Sequence, residues 1–359
     1  MGGLVSSNNQ MVIIPQKKTS KLDLIKPIKH HIKHLKKKPE NFMNSIESFN
    51  TLRNDALNSS LKGKEKLDKM LRYYDQLTSI ENKLPFNKHA INIEFTWENS
   101  INNGAAKISL NDGLFESLCV LFNIGAMASE LAASQDLDSE NGLKEAIKMY
   151  KLASSCFEFI QNNKSNLPLN DPKCDLNDNS LSFFKDLMFA HAQEVSFLKA
   201  KKENFSNLNI SKIAIQCSTF FSNALDFLKQ EPNEHLNKGL GGLVTAKRTF
   251  YKAIAEYYKS QDDYSQNKFG SSLGRLKICQ ELLMLKEIKE YDQKVVKSYN
   301  QMVNEEYERI DKENSRSFYM PIESKSSLEE IQGFDLASTN RSQIRFPLSD
   351  NFIDLFFNL

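Results

Sequence analysis

Several signatures that announce a catalyst are missing from these 359 residues. There is no glycine-rich phosphate loop, no HExxH helix, no GxSxG elbow and no His-Cys signature with a following arginine. Gly239, Gly241 and Gly242 in KGLGGLV come nearest to a nucleotide fingerprint, but they follow a loop and lack the full GxGxxG, which reads as a flexible helix start. The five cysteines, Cys119, Cys156, Cys174, Cys217 and Cys279, never reach CxxC spacing. All but Cys174 fall in helix-patterned apolar stretches, which suits reduced core thiols. His191, set among apolar residues, reads as a core histidine rather than a base. No metal, cofactor or small-molecule substrate is therefore expected, and no enzyme. Net charge is missing too: 47 Lys and Arg against 45 Asp and Glu give no bulk argument for nucleic acid. With no uninterrupted apolar run of about 18 residues and no signal-peptide pattern, a soluble cytoplasmic protein is expected. Function should lie in a surface.

What is present begins with LFESLCVLFNIGAMASELAA, Leu114 to Ala133, whose apolar residues occupy nearly the whole circumference of a helix. Glu116, Asn123, Ser129 and Glu130 would be costly in hydrocarbon, so the stretch reads as a central core helix rather than a membrane span. Upstream, residues 1–11 form an extension without helical period. Met1-Gly2-Gly3-Leu4-Val5-Ser6 fits the N-myristoylation pattern at Gly2, although so short a pattern also occurs by chance. One acyl chain binds membranes only marginally and needs a basic second signal. Residues 17–38 hold nine lysines, beginning with Lys17, against the single acid Asp23; they read either as a solvated face or as a surface for anionic lipid. His30 and His34 stand at helical spacing but have no carboxylate or cysteine beside them to complete a metal site.

Two amphipathic helices follow, over Asn41–Leu57 and about Leu67–Leu77. Ile91, Ile93, Phe95 and Trp97 then alternate with polar residues, and after Asn102-Asn103-Gly104 the run Lys107–Leu110 returns, predicting a small β-hairpin. Beyond the central helix come amphipathic helices around Leu143–Ile160, Leu181–Leu198, Ile210–Leu228 and Leu243–Tyr258, then one long helix from about Phe269 past Tyr307. Consecutive helices with short turns suit stacked hairpins of the tetratricopeptide kind. From 315 to 356 an extended tail is expected to pack back over the helices, pinned by Leu328, Ile331 and Leu336.

Three stretches, KMLRYYDQLTSIENKLPF, INIEFTW with the central helix, and HAQEVSFLKA, together with QKKTSKLDLIKPI and PLSDNFIDLF, resemble the BRO domain of the ALIX family. The resemblance implies one domain over 12–356: mainly α, curved and elongated, with a tetratricopeptide-like helical-hairpin core and a small β-hairpin. It also implies a non-enzymatic adaptor, recruited from the cytoplasm to endosomal or other membranes, that binds the C-terminal amphipathic helix of a Snf-seven type ESCRT-III subunit in multivesicular-body sorting and membrane remodelling. Carried over by motif, the partner-binding residues are Ser196, Asn209 and Ile213, with Glu140 and Lys144 at the rim and Leu336 from the tail, and Phe197 and Ile210 are the positions toward which a shifted patch would move. Ser196 and Asn209 stand where the family tends to have large apolar residues, which implies a weaker or shifted patch. For Phe197, Ile210 and Ile213 plain core packing is the competing reading. In some members an apolar tip between the two strands touches lipid; ENSINNGAAK here is shorter and polar. Tyr319 falls where the family has a phosphorylatable tail tyrosine, though a tail tyrosine can equally serve packing. An alternative function is a peripheral membrane protein using an acylated Gly2 and the basic stretch, with ESCRT-III binding lost.

Overall fold

The computed structural model describes residues 10–58, 60–101, 107–169, 174–230, 234–338, 344–350 and 352–359. Gly2 and the 102–106 turn lie outside them. The chain divides into two compact units. One comprises Met1–Val12, Ala132–Lys151 and Asp186–Arg341, the other Ile13–Leu131, Leu152–Lys185 and Ser342–Leu359.

The second of these contains helices α1 (Ile25–His34), α2 (Met43–Asn58) and α3 (Gly63–Ile80), strands β1 (Phe95–Glu98) and β2 (Lys107–Leu110), and nearly all of α4 (Gly113–Ala133). By length and composition α4 passes for a membrane span, yet most of it is buried in protein, as its all-round apolar pattern predicts. Gly125 allows a close approach: a Cβ there would meet Cys156 and Phe157 at 3.1 and 3.2 Å. The rings of Phe122, Phe157 and Phe184 cluster beside it with centroids 5.3–5.8 Å apart.

The polar residues of α4 all have partners. Buried Glu116 accepts from Arg53 Nε (2.9 Å), Tyr73 OH (3.0 Å) and Trp97 Nε1 (2.6 Å). Asn123 exchanges two hydrogen bonds with the backbone of Lys17, at 2.7 and 2.9 Å, and Ser129 Oγ accepts from Ile14 N–H at 3.0 Å. The extended N-terminal segment thus satisfies much of its backbone on helix side chains, and at Thr19 it bridges Trp97 of β1, with Glu98 N–H bonded to Lys18 O at 2.9 Å. Lys17 corrects the reading of 17–38 as uniformly solvated, because its ammonium is buried against Asp175.

The hairpin pairs Phe95 with Leu110 through Glu98 with Lys107 in antiparallel register. It is shorter than the alternation suggests. Ile91 and Ile93 are buried, but their N–H groups bond to Pro85 O and Ile91 O in local turns, leaving no donors for a ladder. The C-terminal segment is strapped to α3, where Asp75 accepts from Leu348 and Ser349 N–H (2.7 and 2.6 Å) and Phe356 packs its ring on Phe49 of α2.

The other unit holds the first half of α5 (Glu140–Asn163), most of α6 (Asp178–Lys202), and α7 (Asn207–Gln230), α8 (Glu234–Ser265), α9 (Phe269–Leu283) and α10 (Gln293–Glu313). Within it, α8 packs on both α7 and α9, and α9 on α10. The single long helix expected from Phe269 is really two. Leu285 turns extended, a 3-10 turn spans Lys286–Glu290, and Asp292 caps α10 by accepting from Lys294 N–H at 2.8 Å. Such a cap competes with helix continuation.

Beyond Tyr319 the chain has no helix or strand as far as residue 338, with a turn at 325–328. Gly270 and Gly274 let it lie against α9, since a Cβ at either would collide with the carbonyls of Pro321 and Glu323. Glu323 N–H bonds to Gly270 O (3.1 Å), Arg275 Nη2 donates to Glu329 O (2.7 Å), and Phe334 N–H bonds to Lys212 O (3.0 Å). Ile331 and Ala337 are buried, while Leu328 and Leu336 are half-buried.

Candidate protein-binding surface

The surface residues on α5, α6, α7 and the tail all lie within one unit. Asn177 caps α6 by accepting from Ser180 N–H at 2.7 Å. Asn204, at φ +55°, ends α6 with Phe205 N–H bonded to Ala200 O at 3.0 Å, a left-handed stop that asparagine tolerates. The chain then reverses into α7, so that Gln193 of α6 reaches Ile213 O of α7 at 3.1 Å.

The expected site residues fall into two sets. Phe197, Ile210 and Ile213 are core: Phe197 is 2% exposed, edge-on to Tyr251 (5.4 Å), and Ile213 is wholly buried. Their burial matches the core-packing reading of these three positions. Ser196 is also buried, its Oγ donating back to Ala192 O at 2.8 Å. Asn209 is exposed on α7. Leu336 is half-buried, its N–H held by Gln193 Oε1 (2.9 Å) and its carbonyl by Lys151 Nζ (2.9 Å).

The rim is charged and solvated. Glu140 and Lys144 pair at 2.5 Å one turn apart, and Lys199 and Glu203 pair at 2.5 Å at the end of α6. The Lys144 hydrogen bond, with its charge and those of Lys199 and Lys202, holds the Glu140 carboxyl below the usual range. Exposed pairs of this kind set register and orientation more than affinity.

Gln193 is the residue that sequence reasoning missed. Its Nε2 donates to Ile213 O and Phe334 O, and its Oε1 accepts from Leu336 and Ala337 N–H, so it saturates both ends of its amide. The only signal was a buried-period position in HAQEV carrying an amide. Beneath it lies a buried network. Glu194 accepts from Lys247 Nζ (2.6 Å), Tyr251 OH (3.0 Å) and His191 Nδ1 (2.9 Å), and His191 Nε2 accepts from Val12 N–H (3.1 Å). Burial lowers the pKa of His191, more than Glu194 restores it. For Glu194, burial is outweighed by Lys247 and His191, leaving the carboxyl below its ordinary value. Every member is enclosed, which suits a structural role.

Tyr319 is 76% exposed at φ +55°, just past a π turn over Asn314–Phe318. Outside the site, His30 and His34 meet at 2.9 Å between Nε2 atoms, and no metal-binding cluster of three His, Cys, Asp or Glu occurs among the described residues.

Comparison with known proteins agrees with this architecture. Residues 11–359 match the BRO1-like domain family. Programmed cell death 6-interacting protein of Xenopus laevis is 32% identical over 96% of this chain. The vacuolar protein-sorting protein bro-1 of Neurospora crassa is 25% identical over 89%. The chain spans 40% and 33% of the length of these two relatives. Among solved structures, the ALIX BRO1 chain of a complex with CHMP4C superposes with a TM-score of 0.90 at 30% identity, covering 97% of this chain and 99% of that one.

Proposed function

This chain belongs to the BRO1-like domain family, and from that footing we propose that it is a non-enzymatic adaptor module. Its ligand is the C-terminal amphipathic helix of a Snf-seven type ESCRT-III subunit, received at endosomal membranes during multivesicular-body sorting. The observation that carries the reading is the near-complete superposition on an ALIX BRO1 chain captured with CHMP4C. The geometry supports it: the α6–α7 hairpin, a tail fixed along it and a rim of paired charges suit helix-in-groove recognition. Asn209, Leu336, Glu140 and Lys144 are the contacting residues, with Ser196, Phe197, Ile210 and Ile213 shaping the floor. Exposed Tyr319 is open to phosphorylation in this reading. The alternative of a membrane protein that has lost the ESCRT-III contact is not favoured.

Fluorescence polarisation with the cognate C-terminal helix tests this. Micromolar binding is expected, weakened several-fold by Lys144→Glu and strengthened by Asn209→Leu, which adds apolar area at an exposed contact position. An unchanged affinity in both folded variants would remove the surface from consideration.

A further inference from the structure

The outer face of α1 has no part in the surface described so far, and stability does not account for its composition. Ile28 and Ile32 bury the inner face. On the outer face Lys26, His30 and Lys33 follow one another at helical spacing, with Lys29 and His34 beside them, and Lys36, Lys37 and Lys38 continue past the end. Between Leu24 and Pro39 there is no acid. Asp23, the nearest, accepts Ile25 N–H at 2.9 Å. Among the described residues no ion pair engages Lys26, Lys29, Lys33, Lys36 or Lys38.

Cations in the last turn of a helix complement its dipole, which accounts for Lys33. The same dipole disfavours Lys26 in the first turn, where no acid offsets it. Self-repulsion along the row disfavours the rest. The helix ends, moreover, on Lys36 at φ +57°, where Lys36 N–H bonds to Lys33 O and Lys37 N–H to Ile32 O. That left-handed position is one that glycine fills without strain and a lysine fills at a cost. Charge has been kept where both electrostatics and backbone favour its removal.

We infer that the outer face of α1 is a docking surface for an anionic phospholipid bilayer. Charge complementarity supplies the argument. Six lysines and three histidines in 26–38, with no arginine and no Phe, Tyr or Trp, form a set of point charges suited to diffuse headgroup charge. Nucleic-acid surfaces draw on arginine forks and stacking aromatics, which are absent from this stretch. The exposed Leu35 (44%) at the end of the row offers a small apolar contact at the interface.

The test uses the full chain carrying Gly2→Ala, so that no acyl chain contributes. Partition onto phosphatidylcholine vesicles is compared with partition onto vesicles containing about one third phosphatidylserine, at low and at several-fold higher salt. Binding is expected only with the anionic lipid and is lost at high salt. Lys26→Gln with Lys33→Gln should weaken it roughly 30-fold, at about fivefold per lysine, while far-UV circular dichroism and helix binding at the α6–α7 surface stay unchanged. Lys36→Gly is the sharper variant, because it should raise the melting temperature and still lower partition about fivefold. Equal partition of the double variant, binding to neutral vesicles, or displacement of bound protein by a stoichiometric short DNA duplex would overturn the assignment.

Discussion

Gln193 holds Leu336 by its backbone, not its side chain: Oε1 accepts the Leu336 N–H at 2.9 Å and the Ala337 N–H at 3.1 Å. One neutral amide thus shares with Lys151 and the Lys212 carbonyl the task of holding the tail beside the α6–α7 surface. Gln193→Ala should leave Phe334 O, Leu336 N–H and Ala337 N–H without their side-chain partner, at about 1–3 kcal/mol for those with no access to water, while Ile213 O keeps its helical bond. Faster hydrogen exchange at Leu336 and Ala337 and weaker partner-helix binding are the expected readouts. A tail that stays protected in the variant would show that other contacts suffice.

Glu116 is the second pivot. It is the common acceptor for Arg53, Tyr73 and Trp97, and among the described residues no other carboxylate pairs with the Arg53 guanidinium. Removing one member of a buried pair leaves the other uncompensated, so Glu116→Gln should cost about 3–5 kcal/mol. Chemical denaturation followed by the fluorescence of Trp97, the one tryptophan, reads this unit directly.

Acid should loosen the unit that contains His191. Its pKa in the folded protein is lowered by burial from the ordinary 6.5, with Glu194 partly opposing. The unfolded chain therefore binds the proton first as pH falls. The contribution of His191 is fully present above about pH 6.5 and is lost as pH falls toward the folded value, at a slope of up to about 1.4 kcal/mol per pH unit. Melting temperatures between pH 7.5 and 5 should fall less steeply for His191→Gln than for the unaltered chain, across a range set around the reference pKa. Parallel slopes would show that other groups control the acid response.

Much of the architecture is legible because periodicity is a local property. The all-round apolar run of α4, the amphipathic helices and the return of Lys107–Leu110 each declare themselves within some twenty residues. The break at Leu285–Asp292 was hidden because apolar residues continue on both sides of it, and the interruption lies in the backbone at Leu285 and in the cap on Asp292. Ile91 and Ile93 kept the alternation of a strand because their side chains are buried, whereas the ladder depends on where their N–H groups go. At the binding surface, charged positions such as Glu140 and Lys144 were readable through the family resemblance. The burial of Phe197, Ile210 and Ile213 was not, since an apolar residue at helical spacing looks the same whether it faces the core or a partner. Gln193 and Asn123 show the same limit for polar residues, because their partners are backbone groups more than 100 residues away.

Those separations also set an order of events in synthesis. Lys17, Ile14 and Val12 pair with residues 106, 115 and 179 positions further along the chain. At about 5–20 residues per second, translation delivers His191 some ten seconds or more after Val12 has emerged. Residues 12–17 thus leave the ribosome before every one of these partners and wait for them. Asn123 and Ser129 can meet Lys17 and Ile14 as soon as α4 has emerged, but until His191 arrives the Val12 N–H must keep water as its partner, so in a nascent chain stalled before residue 191 the Val12 amide should exchange with solvent faster than in one stalled after it.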